Sequence, residues 1–159
     1  MHYKAILGLG NPGSQYINTY HNVGQQMIDY LLDKKILPEN VIVAKNDGFM
    51  NESGNSAVKI LKKIGGNPKN LLVIHDDSDI ALGEYKLCTD RSSAGHKGIE
   101  DIIIKIGTKN FWRLRIGIRS EEEGGKALDF VLKKINKTNQ EKLEKVFDEA
   151  SQSIFKLSE

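Results

Sequence analysis

Three polar segments hold the residue types that proton-transfer chemistry needs, and each follows an apolar run. The first, Ile6 to Val23, carries Asn11 in a glycine-rich turn and then the pair His21-Asn22; the others are Met50-Asn51-Glu52-Ser53-Gly54 and His75-Asp76-Asp77-Ser78-Asp79. Histidine is the usual general base near neutral pH. A carboxylate on its other ring nitrogen fixes the tautomer and stabilises the imidazolium formed when it takes a proton. His21 with Asp76 is a candidate for that pair. No G-x-S-x-G is present and neither a serine nor Cys88 marks a nucleophile elbow, so the nucleophile is water. Asn11 and Asn51 supply amide groups suited to gripping a peptide-like group or an oxyanion. The implied reaction is hydrolysis with no metal, no cofactor and no covalent enzyme intermediate.

Such residues converge only if the elements between them bring them to one rim. Tyr3 to Leu9 is a short apolar run ending at glycines, as expected of a strand buried on both faces. Val23, Met27, Tyr30 and Leu31 recur at helical spacing before Pro38, Val41 to Ala44 is a second strand, and Ser53 is placed to cap a helix ending at Gly65-Gly66. Leu71 to Ile74 completes a β-α-β-α-β order, which points to a parallel sheet with right-handed crossovers. Ligands bind outside the carboxyl ends of such strands, where Asn11, Asn51 and Asp76 would lie.

Further strands are expected at Glu84 to Cys88 and Phe111 to Ile118, flanking a helix with Ile99, Ile102, Ile103 and Ile106 on one face. Alternation sets Arg113 and Arg115 opposite Trp112, Leu114 and Ile116. Thr138 to Ser158 reads as a terminal helix, with Thr138 and Glu141 at capping-box spacing and Leu143, Phe147, Ala150, Ile154 and Leu157 as its stripe. The expected fold is α/β: one domain over residues 1–159, with a mixed, mainly parallel sheet and helices on both faces.

Composition narrows the class. A net charge of +2 in 159 residues does not by itself announce a nucleic-acid binder. A single cysteine fits a reducing cytosol, and no run approaches the roughly 18 apolar residues of a membrane span, so a cytoplasmic protein with no membrane partner is expected. Gly8-Leu9-Gly10-Asn11-Pro12-Gly13 satisfies G-x-G-x-x-G, with Asp29 or Asp33 near the place of a ribose-binding acid. Pro12 and a helix starting only near Asn22 argue against a dinucleotide, whose phosphates need a helix N-terminus directly after the turn. The aspartates of the His75 segment could bind a cation, but carboxylates in a strand-end turn more often cap it.

Six blocks in order closely resemble bacterial-type peptidyl-tRNA hydrolase: Gly8 to Gly13 with Tyr16, Thr19 to Gly24, Met50 to Gly54, His75 to Asp79 with Leu82-Gly83, Gly95 to Gly98, and Phe111 to Ile118. The resemblance implies hydrolysis of the ester linking a peptide to the tRNA 3′ end. It makes His21 the catalytic base, Asp76 its orienting group, and Asn11 and Asn51 the holders of substrate and reacting groups. It further implies Tyr16, Asn22, Met50, Gly95 and Lys97 as substrate contacts, Lys86 and Arg115 as tRNA contacts, and a monomer with peptidyl-tRNA as its partner.

The chain departs from the family pattern in four places. Lys97 stands where the family has asparagine, the preceding loop is Asp90-Arg91-Ser92-Ser93-Ala94, and Cys88 replaces a frequent lysine, with Arg91 placed to compensate. Only Lys34 to Phe49 separates the first helix from Met50, and the C-terminus is short, so the sheet edge should be trimmed. The alternative these departures raise is an RNA- or tRNA-binding homologue with impaired catalysis.

Overall fold

The computed structural model describes residues 3–156. Strand β1, Ala5–Gly8, is wholly buried and lies between β2, Ile42–Lys45, and β3, Leu71–Ala81, parallel to both. Strand β5, Trp112–Arg119, continues the sheet parallel to β3, and β4, Tyr85–Thr89, closes it antiparallel to β5, giving the order β2-β1-β3-β5-β4. Helices α1 (Val23–Asp33), α2 (Ser53–Lys63), α3 (Lys97–Ile106) and α4 (Lys137–Lys156) cover it.

The period of two divides the strand side chains between two cores. Ile6, Leu72, Ile74, Leu114 and Ile116 meet Met27 and Leu31 of α1 and Leu143 and Phe147 of α4 on one face. Leu7, Leu71 and Val73 meet Ile60 of α2 and Ile99 and Ile102 of α3 on the other. The predicted alternation in β5 therefore holds, with Arg113 and Arg115 opposite the apolar positions.

Helix α1 sits directly on the sheet backbone because its contact residue lacks a side chain. A Cβ on Gly24 would fall 2.2 Å from the Ile74 carbonyl oxygen and 2.8 Å from the Leu9 nitrogen. That close approach carries the start of α1, with His21 just before it, onto β3 at Ile74, two residues before Asp76. The late helix start also matches the argument against a dinucleotide site.

Three local expectations are corrected. Asp76 is not at a strand end: β3 runs on to Ala81, with its register against β5 shifting between Asp77 and Ala81. Ser53 does not cap α2; a single 3-10 turn, Met50–Glu52, precedes it, and the Ser53 hydroxyl donates back to the Met50 carbonyl at 2.6 Å. At α4 the cap is Asn136 rather than Thr138, since Asn136 Oδ1 accepts from Asn139 N–H at 2.8 Å. The expected run of α4 through Leu157 to Ser158 lies outside the described residues. The chain between α1 and Met50 holds the lone short strand β2, exposed at the sheet edge.

Candidate active site

His21 lies in a 3-10 turn, Tyr20–Asn22, ahead of α1, and its backbone N–H is tied to the Val131 carbonyl at 2.8 Å. Its ring is fixed by Asp76: Nδ1 donates to Oδ2 at 2.7 Å. The other oxygen, Oδ1, accepts from His96 Nε2 at 2.9 Å. His96 Nδ1 in turn accepts from the Ile99 N–H at 3.2 Å, capping α3. A nitrogen that accepts a backbone N–H bears no proton, so His96 carries its proton on Nε2 and donates to Asp76. Asp76 thus takes one N–H on each oxygen, and Nε2 of His21 is left as the basic atom.

The electrostatics follow from this pairing. Burial opposes charge on His21, but the Asp76 carboxylate and its hydrogen bond outweigh burial and raise the imidazole pKa above its ordinary 6.5. Burial likewise disfavours the Asp76 carboxylate, which is 2% exposed, yet the two imidazoles hold its pKa below the ordinary carboxylate range. His21, Asp76 and His96 present three ligand atoms within 4.8 Å of one another, a spacing that a metal can use. Here both carboxylate oxygens already accept imidazole N–H groups and the second nitrogen of His96 caps a helix. The donor set is satisfied as a base with its orienting group.

These residues floor a cleft of about 280 Å³. Its wall is Ser93 to Lys97, ahead of and into α3. Asp77, Ser78 and Asp79 continue from β3, and Lys126, Ala127, Leu128 and Val131 lie across it. Leu128, 77% exposed, offers an apolar surface at the opening. Its charged lining residues are Asp76, Asp77 and Asp79 with Lys97 and Lys126.

Of the residues expected from sequence, the fold brings His21, Asp76, Gly95 and Lys97 to this cleft. Asn11 does not line it and is held by its neighbours. Its backbone N–H and carbonyl pair with both amide atoms of Asn22, at 2.9 and 3.0 Å, and its Oδ1 accepts from the Met50 N–H at 2.8 Å. Asn22 is buried, so it shapes the Asn11 turn instead of facing substrate, and Met50 is buried against Gly98. Asn51 is exposed in the turn before α2. Tyr16 packs edge-on against Phe49, at 6.5 Å between ring centroids, and Phe49 is half exposed.

Among the basic candidates, Lys86 is exposed on β4, directly across the ladder from Arg115. The Arg115 Nε donates to Asp77 Oδ2 at 2.8 Å. Burial disfavours the Arg115 charge, but the Asp77 bond more than offsets this and raises its pKa. Arg91 is exposed, while its carbonyl is bound by Arg113. Sequence reasoning left out His96 and Phe49. The signal for His96 was its place one residue ahead of an amphipathic helix, a cap position, but its partner comes from β3.

Comparison with known proteins agrees with this geometry. The family model described as peptidyl-tRNA hydrolase matches residues 5–159. The peptidyl-tRNA hydrolase of a Sulfurihydrogenibium species is 40% identical over 167 residues, covering 95% of this chain and 88% of the relative. That of Aquifex aeolicus is 34% identical, covering 100% and 92%. Among solved structures, the peptidyl-tRNA hydrolase of Acinetobacter baumannii superposes with a TM-score of 0.80 at 31% identity, over 96% of this chain and 88% of that one. With a family match over nearly its whole length, relatives of this identity and coverage, and their fold, the chain belongs to the peptidyl-tRNA hydrolase family.

Proposed function

We propose that the protein hydrolyses the ester joining peptide to tRNA in peptidyl-tRNA, releasing free tRNA, with His21 as general base. The observation that carries this reading is the 2.7 Å bond from His21 Nδ1 to an Asp76 whose other oxygen is held by His96. That arrangement leaves Nε2 to take a proton from water. The resulting hydroxide attacks the ester carbonyl carbon, and the electron pair moves to the carbonyl oxygen. Collapse of the tetrahedral intermediate breaks the bond to the tRNA ribose oxygen, which takes the proton back from His21. Asn11, with Oδ1 committed to Met50, keeps its Nδ2 amide as a donor to substrate, and Asn51 offers a second amide.

Gly95 and Lys97 contact substrate from the cleft wall, and Tyr16 with Phe49 offers an aromatic surface for the end of the acceptor strand. Lys86 and Arg91, both exposed, are the cations for tRNA phosphates. Arg115 supports them from beside Lys86 while holding Asp77. The protein acts as a monomer in the cytoplasm. What supports that placement is its single cysteine and the lack, among the described residues, of any helix long and apolar enough to cross a membrane. A binding-only homologue has no use for a base oriented by a carboxylate, and the family match supports the enzyme.

The test is release of free tRNA from an N-blocked aminoacyl-tRNA, with and without chelator, beside His21→Ala. Turnover that ignores chelator and disappears in the variant, with tRNA affinity retained, is expected. Equal rates for variant and wild type would remove His21 from the mechanism.

A further inference from the structure

Behind the Asp76 carboxylate lies an arginine that the hydrolysis as written does not use. Arg113 is 1% exposed, one of the largest side chains wholly inside the protein. Among the described residues it forms no ion pair with a carboxylate. Its Nε donates to His75 Nε2 at 3.1 Å, and its Nη1 donates to two backbone carbonyls, Arg91 at 3.1 Å and Ser92 at 2.8 Å. His75, also 1% exposed, donates from Nδ1 to the Asp76 carbonyl at 2.7 Å. A charge sequestered on neutral acceptors is costly compared with an apolar side chain of similar volume, so core filling alone does not account for it.

Both arms of the guanidinium end next to cleft residues: His75 precedes Asp76, and Ser92 precedes Ser93. The arm to His75 settles a tautomer, because a ring nitrogen that accepts from Arg113 forces the proton onto the other, the one that holds the Asp76 backbone. Burial, with His96 and Arg113 nearby, pushes the His75 pKa well below the ordinary value, which keeps the ring in this neutral form. The arm to Arg91 and Ser92 anchors the strained first half of the loop, whose second half is closed by the His96 N–H donating to the Ser93 carbonyl at 3.0 Å. Asp90 and Ala94 sit at φ of 54° and 48°, left-handed values that side-chain-bearing residues rarely adopt. Ser93, Ala94 and Gly95 of this loop wall the cleft, and the loop delivers His96 to the second oxygen of Asp76.

Resting on the function proposed above, we infer that Arg113 is a positioning residue for the hydrolysis: through His75 it orients Asp76, and through the carbonyls of Arg91 and Ser92 it sets the wall that carries His96. A single buried cation thereby steadies both the Asp76 backbone and the wall that brings His96 to the Asp76 carboxylate. It touches no substrate.

Two variants test the arms. Arg113→Lys keeps a cation that can donate to the loop carbonyls but loses the directed Nε donor to His75. His75→Gln keeps an acceptor for Arg113 but loses the Nδ1 donor to Asp76. For each, kcat and KM are measured across pH together with the thermal midpoint, and the ring nitrogens of His21 and His75 are followed by NMR on 15N-labelled protein. The charged groups facing the cleft, Asp77, Asp79, Lys97 and Lys126, are unchanged in both. The expected result is folded protein whose kcat falls by about 10²-fold, the cost of a small misplacement of a catalytic group, with KM within a few-fold. The His21 titration moves to lower pH, since a displaced Asp76 stabilises its imidazolium less. Wild-type kcat, or an unmoved His21 titration, in either folded variant would overturn the inference. If Arg113→Lys does not fold, His75→Gln decides. Should wild type show no turnover, the proposed function fails while the His21 titration still decides the role of Arg113.

Discussion

Replacing Asp76 by asparagine changes one oxygen to an NH2 at the point where two histidines converge. The wild-type carboxylate accepts from His21 and His96 at 2.7 and 2.9 Å. An amide has one acceptor oxygen, so its NH2 must face one of the rings. Turned toward His96, it would require a lone pair on Nε2 and a proton on Nδ1, which would oppose the Ile99 N–H and forfeit a helix cap worth about 1 kcal/mol. Turned toward His21, it would draw the His21 proton to Nε2 and remove the base. The cap therefore favours the arrangement that disables catalysis.

The lost charge adds to this. A charge pair at about 4 Å with an effective dielectric near 20 is worth about 4 kcal/mol. The His21 ring is 16% exposed, and solvent there screens part of that interaction. The sign is direct. In wild type the raised imidazole pKa places the acid limb of kcat/KM above 6.5. In Asp76→Asn burial acts alone, and the limb falls below 6.5. At pH 8 the rate of tRNA release should drop by about 10² to 10⁴, the range spanned by general-base catalysis. A folded variant within about three-fold of the wild-type rate, its acid limb still above 6.5, would refute the assignment of Asp76.

Other measurements probe separate parts of the reading. The depressed Asp76 pKa stabilises the fold above the unfolded carboxyl value and is lost as pH falls toward the folded value, so urea stability should decline into acid less steeply in Asp76→Asn than in wild type. The raised His21 pKa acts oppositely, giving stability present below 6.5 that disappears as pH rises through the folded value; His21→Ala should remove that component. Asn22→Ala removes the partners of the part-buried backbone N–H and carbonyl of Asn11, at about 1 kcal/mol for each hydrogen bond lost. Its urea midpoint should fall accordingly, and an unchanged midpoint would reject Asn22 as the support of that turn. Lys86→Ala should raise KM with kcat unchanged and lower the slope of log KM against log salt by about 1 if Lys86 meets one phosphate.

The elements legible in the sequence were those whose cause is local. Period two in Phe111 to Ile118 and the helical spacing of Val23, Met27 and Leu31 follow from which positions face water, and both appear in the structure close to their expected bounds. The caps were less legible. Ser53 and Thr138 have the right residue type, but neighbouring backbone took the roles elsewhere, to a 3-10 turn and to Asn136. The length of β3 was hidden because its second half is polar, and only pairing with β5 shows that Asp76 lies within a strand.

For the site, the sequence by itself determined the chemistry available: a histidine base, a carboxylate at the close of an apolar run and two asparagine amides, set by residue types that no fold can alter. Tertiary structure decided which atoms meet. His96 reaches Asp76 because the cap of α3 lies against the middle of β3, Asn22 turns inward because Gly24 brings α1 onto the sheet backbone, and Arg113 is buried because β5 lies between β3 and β4. These are contacts between residues 11 to 55 positions apart in the chain. A periodic pattern reports which face of an element avoids water, whereas a hydrogen bond requires a partner from another element at about 3 Å, and that distance exists only once the sheet order is set.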